Sequence, residues 1–346
     1  MKRSARIAGL GALAALVALP AGNGPASAAG QHVLKLTTLA PKGSSYHRAL
    51  QRMGEGWRDA SGGSVELVIY AGGIQGGEAA MVERMRINQA QAAMLTAIGL
   101  NEIETAVSGL QNMPMMFRSL EEVDHVGEKL HPLLEQRLRD KGFVVLFWAD
   151  AGWVFFFSDV PVLRFQDLQK LKLFAWAGDM QGTEIMNDAG LNPVLLETAD
   201  ILTGLKTGLI DAAPLPPFYA LATQVYGPAP HMLDLEWGPL VGALVVTRGA
   251  WEKIPPDLRG KLAAIATETG KGVQSTGRRE SVESVRTMQE KWGLEVHTPT
   301  PEMVAGWRKA SEAAYPEIRG KVVPEEVFDE VSRLLRAYRE ARGDPP

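Results

Sequence analysis

Two hydrophobic periods take turns along this chain. Val33 to Leu39 mixes apolar residues with Thr as a strand does, and Pro41-Lys42-Gly43 turns the chain into Ser44 and Ser45. Tyr46, Leu50, Met53, Trp57 and Ala60 then recur at steps of three and four, which predicts an amphipathic helix capped by Ser44 or Ser45 and ended by Gly62-Gly63. Val65, Leu67 and Ile69 alternate as a second strand. A glycine loop, residues 71–77, leads into a helix carrying Met81, Val82 and Met85. Ala92 to Ala97 reads as a short buried strand followed by a loop at Ile98-Gly99-Leu100. Val123 to Leu138 traces a helix with a kink expected at Pro132.

Phe143 to Ala149 and Trp153 to Phe157 are continuously apolar, so both are expected to be strands buried on two faces, separated by Asp150-Ala151-Gly152. In the stretch around Lys172, Leu171, Leu173, Ala175 and Ala177 point one way while Phe174, Trp176 and Gly178 share the other face. Asp179 caps the helix that follows. Strands at Leu191 to Leu196, Leu209 to Pro214 and Gly242 to Thr247 complete the β set, and their alternation with helices predicts parallel, doubly wound sheets. Beyond Asp257 the apolar spacing continues without proline through Trp292. One long helix, or two in tandem, is expected to tie two lobes together.

Composition changes this picture little. The 346 residues are 46% hydrophobic and 22% charged, which suits a globular chain of two domains. Lys2, Arg3 and Arg6 precede an apolar run from Ile7 to Leu19, and Ala26-Ser27-Ala28 supplies small residues for cleavage, so residues 1–28 read as a secretory signal. Its removal takes the formal charge from −4 to −7. With that balance and no basic stripe, nucleic acid is not an expected partner. There is no cysteine, hence neither a disulfide nor a lipid anchor at the cut.

Catalytic and metal motifs are missing. The chain has no Gly-x-Ser-x-Gly elbow and no His-Glu-x-x-His, and its six histidines (32, 47, 125, 131, 231 and 297) show no ligand-like spacing. No enzyme, metal or cofactor is expected. Ligands in open α/β sheets sit at the carboxyl ends of strands, which makes Phe174 and Trp176 candidates to face one; the alternative is that both pack under the helix as core.

Four segments carry a resemblance. Leu-Thr-Thr-Leu-Ala-Pro-Lys-Gly-Ser-Ser (36 to 45), Gly-Gly-Ile-Gln-Gly (72 to 76), Asp167-Leu168-x-x-Leu171-Lys172 and Thr207-Gly208-Leu209-Ile210-Asp211 resemble, in order and spacing, the periplasmic solute-binding subunit of TRAP transporters, the DctP-like family. The resemblance implies an α/β, two-lobed periplasmic binding protein fold with a long helix crossing both lobes, closure on a small-molecule ligand, and delivery to TRAP membrane subunits. Expected boundaries are 29–151 with 240–280 for lobe I and 152–239 with 281–340 for lobe II, each lobe with its own sheet.

The departures from that family bear on the ligand. Its strand Leu-Lys-x-Arg places an arginine against the substrate carboxylate, and Phe174 stands there. Val154 and Leu215 take the places of a second arginine and of an asparagine. A buried carboxylate without a paired cation costs several kcal/mol, so an apolar or amphipathic ligand is the expectation. The candidate contacts are Ser44, Tyr46, Gln75, Trp153, Val154, Phe174, Trp176, Leu215, Phe218 and Tyr219. Gly152-Trp153 and residues 174–179 are also similar to the subset associated with a periplasmic TPR-repeat protein. The alternatives are an organic-acid binder with relocated cations at Arg48, Arg84 or Lys172, and a periplasmic enzyme on the same fold.

Overall fold

The computed structural model describes residues 32–344; the expected signal, residues 1–28, lies outside them. Nine strands are formed among the described residues: β1 (His32–Thr38), β2 (Val65–Tyr70), β3 (Ala92–Thr96), β4 (Phe143–Ser158), β5 (Lys172–Trp176), β6 (Asn192–Leu196), β7 (Ala212–Leu215), β8 (His231–Thr247) and β9 (Glu295–His297). They hydrogen-bond in the order β2-β1-β3-β8-β4-β7-β5-β6, with β9 on β8.

The expected parallel units are present at both ends, where β1 pairs parallel with β2 and β3, and β5 with β6 and β7. Between them the expectation fails in two ways. β4 runs antiparallel to β7, β8 runs antiparallel to β3, and β4 and β8 are antiparallel to each other, pairing from Phe143↔Thr247 through to Ser158↔His231. The two lobes therefore share one continuous sheet rather than owning one each. Nor is β4 split at Asp150-Ala151-Gly152. The register shifts between Asp150 and Trp153, Gly152 sits at φ +76°, and its N–H donates to Asp150 Oδ1 at 3.0 Å. A bulge built on a glycine that tolerates this φ bends the strand without ending it.

The helices follow their sequence signals closely. Ser45–Ala60 is capped by the Ser44 hydroxyl, which accepts from the His47 N–H at 3.2 Å, and it buries Tyr46, Leu50, Met53 and Trp57. Met180–Asp188 is capped by Asp179, which accepts from the Gly182 N–H at 2.9 Å. Leu120–Asp140 runs on through Pro132. Ile98-Gly99-Leu100 belongs to a short helix, Ala97–Asn101, and not to a loop. Pro256–Trp292 is one helix of 37 residues, and it packs against Ser45–Ala60 on one side of the fold and Pro217–Ala222 on the other. At Gly277 a Cβ would lie 2.0 Å from Tyr46 Oη, so a glycine is what lets the long helix approach that tyrosine. Tyr46, Trp57, Phe147 and Leu262 share one core cluster, and Phe157, Phe174, Leu215 and Met288 share another.

Candidate binding cavity

The strand ends, together with Tyr46 and the residues after β7, border a cavity with about 810 Å³ of empty space, its open mouth included. One wall comes from the turn after β1 (Thr38 to Pro41), Tyr46 of helix Ser45–Ala60, and Met94 to Thr96 of β3. The opposite wall is Trp176 at the end of β5, Pro214 to Pro216 at the end of β7, and Phe218 and Tyr219 beyond it. Val154 of β4 and Leu240 to Gly242 of β8 form the floor.

Aromatic rings form a continuous part of this lining. Tyr46 stacks on Phe218 with ring centroids 4.8 Å apart and planes at 22°, and Phe218 meets Tyr219 edge to face at 6.5 Å. The Tyr219 hydroxyl donates to the Thr198 carbonyl at 3.2 Å, and burial pushes its pKa up to about 12. Burial also raises the Tyr46 hydroxyl, helped by the nearby charges of Asp150 and Glu280. Both phenols are therefore donors at any physiological pH.

The charged side chains in the lining are both acids. Glu78, fully buried, accepts from the Thr96 N–H and hydroxyl at 2.6 Å each and from the Gly99 N–H at 3.0 Å. Burial holds its carboxyl above the ordinary range even though those three donors pull the other way. Asp150 is turned toward the long helix, where Arg278 Nη2 reaches it at 2.6 Å and Gln274 Nε2 at 2.8 Å. Arg278 also holds Asp124 at 2.5 Å, so its charge is spent on two carboxylates and does not face the cavity. Among the described residues no Lys, Arg or His belongs to the lining.

Six of the ten residues expected to meet a ligand come together here: Tyr46, Val154, Trp176, Leu215, Phe218 and Tyr219. The other four lie elsewhere. Ser44 is committed to capping its helix, and the Gln75 carbonyl accepts from Arg84 Nε at 2.9 Å outside the lining. Trp153 is buried in the core with Val241 and Ile185. Phe174 is fully buried, edge to face with Trp176 at 5.0 Å, and lines a second cavity that meets the first at Val154, Trp176 and Pro214. The cations considered as replacements are engaged away from both cavities. Arg48 bonds the Gly43 carbonyl, Arg84 reaches Gln75 and Gln89, and Lys172 pairs with Asp211 at 3.2 Å.

Sequence reasoning missed Glu78, Thr96 and Asp150. Glu78 begins a helix, where an acid is explained by the helix dipole alone, and only the fold brings Thr96 and Gly99 to its carboxylate.

Two lobes joined by crossing strands, with an apolar cavity at their strand ends, define a two-lobed ligand-binding protein. The model of the family described as bacterial extracellular solute-binding protein, family 7 (DctP) matches residues 36–321, and the chain belongs to that family. A C4-dicarboxylate-binding periplasmic protein of Rhodobacter capsulatus is 22% identical over 217 residues, which are 62% of this chain and 65% of that relative, so the chain spans a little under two thirds of its length. Among solved structures, a TRAP periplasmic solute-binding protein of Sulfurospirillum deleyianum with bound succinate has a TM-score of 0.79 at 19% identity, covering 88% of this chain and 99% of that one. A sugar-acid-binding protein of Advenella mimigardefordensis in complex with galactonate reaches 0.83 at 13% identity, covering 89% and 99%. At these identities the likeness establishes the fold.

Proposed function

We propose that the chain is the periplasmic solute-binding subunit of a TRAP-type secondary transporter, and that it takes a small organic acid with an apolar body into the cavity beside Tyr46 and Trp176 for delivery to membrane subunits. Export through removal of residues 1–28 belongs to the same proposal, as do the lobes 29–151 with 240–280 and 152–239 with 281–340, hinged where β4 and β8 pass between them. A periplasmic TPR-repeat partner rests on the segments around Gly152 and Phe174 alone.

The acid is favoured by the relatives, which are named for a dicarboxylate or hold succinate and galactonate. The apolar body is favoured by the single observation that carries this reading: aromatic and aliphatic walls with no cation among them. A compact dicarboxylate would leave charge against apolar surface at a cost of several kcal/mol, whereas each apolar group of side-chain size buried there contributes about 1.5–3 kcal/mol. The head group is then met by neutral donors. The Tyr219 hydroxyl donates to the Thr198 carbonyl and the Tyr46 hydroxyl to the Asp150 carbonyl at 3.4 Å, so each serves a head group by exchanging that acceptor for it, and neutral hydrogen bonds are roughly half as strong as charge-assisted ones, which suits a solute bound mainly through its body.

A second reading, a neutral amphipathic solute, is favoured by Glu78, an acid in the lining, the Asp150 carboxylate being already held by Arg278. Organic extraction of the purified protein followed by mass spectrometry separates the two. A stoichiometric acid with an apolar skeleton supports the first reading, a neutral amphiphile supports the second, and a compact dicarboxylate or sugar acid contradicts both.

A further inference from the structure

One group of metal-ligating side chains stands apart from both cavities. β9, which follows the long helix, pairs parallel with the start of β8 so that His231 lies opposite Glu295 and Leu233 opposite His297. Glu295 and His297, two residues apart, share a face of their strand, and His231 projects on that same face. The fold thereby joins two histidines separated by 66 residues, a pairing that their sequence spacing does not announce.

His231 Nδ1 is 3.0 Å from His297 Nε2. Glu295 Oε2 lies 3.5 Å from the first nitrogen and 4.0 Å from the second, and one ligand atom from each residue fits within a 4.8 Å spread. None of the three lines either cavity.

We propose that His231, Glu295 and His297 form a binding site for a transition-metal dication of the zinc class, with solvent completing its coordination. Two imidazole nitrogens each about 2.05 Å from one ion stand roughly 2.9–3.3 Å apart as the angle between them goes from square to tetrahedral. The observed separation meets the lower end of that range before any ligand has moved. The donor set selects the metal, since imidazole suits zinc, copper and nickel and does not suit magnesium or calcium. Access and rigidity are also in place. The histidine side chains are 14% and 20% exposed and held by a strand ladder, while the Glu295 side chain, 65% exposed, is free to swing onto an entering ion. Without metal, the same contact is a hydrogen bond in which one ring nitrogen carries a proton. A metal needs both lone pairs and displaces that proton.

The consequence is a staple. A bound ion fastens the strand after the long helix to the start of β8, which raises the folded state's stability by mass action.

The test uses tag-free mature protein stripped with a chelator and titrated with Co²⁺ as a visible probe, then with Zn²⁺. The expected result is one Co²⁺ per chain with a ligand-field spectrum that Zn²⁺ abolishes, and a Zn²⁺-dependent rise in Tm. His231→Gln and His297→Gln should each weaken binding by more than the roughly 10–100-fold typical of losing a supporting outer partner. Glu295→Gln, at an exposed side chain where folding is not at stake, should weaken it less but measurably. Folded wild type that takes up no stoichiometric Co²⁺, or uptake that survives all three replacements, overturns the proposal.

Discussion

Tyr46 and Phe218, both in the cavity lining, stack with their ring centroids 4.8 Å apart. One sits on the first helix and the other just past β7, so the stack joins the two walls and any opening of the cleft has to break it. Aromatic pairs of this kind contribute about 0.5–1.5 kcal/mol beyond the area they bury. Phe218→Ala should therefore shift the ligand-free protein toward an open form, seen as a larger radius of gyration by solution scattering. An unchanged radius would mean that the stack does not hold the lobes together.

The second prediction concerns the head group. Tyr46→Phe and Tyr219→Phe each remove one neutral donor and little area, and should each weaken binding of an organic-acid solute by about 0.5–1.5 kcal/mol. Calorimetry should give little change for an analogue in which the carboxyl is replaced by a methyl group. Equal losses for both compounds would show that the hydroxyls act on packing and not on the acid.

Phe174 occupies the family's arginine position, yet it is fully buried against Trp176 and lies outside the first cavity. Phe174→Ala should accordingly cost about 3–5 kcal/mol of folding stability, as for other buried aromatics, and affect binding only through that loss. Urea unfolding alongside calorimetry separates these effects. A stable variant that has lost its ligand would return Phe174 to the binding surface.

Strand Lys172–Trp176 and its Asp179-capped helix were legible because alternation and a capping side chain are local signals. Their relation to the ligand was not. Facing away from Leu173 places Phe174 under one neighbour or another, and only the packing of Met180–Asp188 and β7 decides which. The early part of β8 escaped notice because Asp234, Glu236 and Pro239 interrupt its apolar run, although long antiparallel pairing with β4 holds it as strand. In the same way, His231 and His297 have no signal until β9 returns beside β8.

Glu78 yields a pH dependence with a defined sign. Burial raises its pKa in the folded chain, so the folded state binds its proton more tightly than the unfolded state does. Stability is then favoured below the unfolded value of about 4.3 and lost as pH rises through the raised folded value. Glu78→Gln lacks this titration. The Tm of wild type relative to Glu78→Gln should be highest on the acid side and fall as pH rises, measured by thermal melts from about pH 4 to pH 8. A difference that grows with pH would mean that the Thr96 and Gly99 donors, and not burial, govern this carboxyl.

The claim that the solute lies in the cavity between Tyr46 and Trp176 is tested most directly by isothermal titration of the extracted solute into ligand-free wild type and Trp176→Ala. Trp176 is partly exposed at the end of β5 and lines the cavity, so its removal takes apolar contact from the ligand. The expected result is one solute per wild-type chain and a Trp176→Ala variant that stays folded but binds more weakly by about 1.5–3 kcal/mol, roughly 12- to 150-fold in Kd. Unchanged affinity in folded Trp176→Ala would place the solute elsewhere and contradict it.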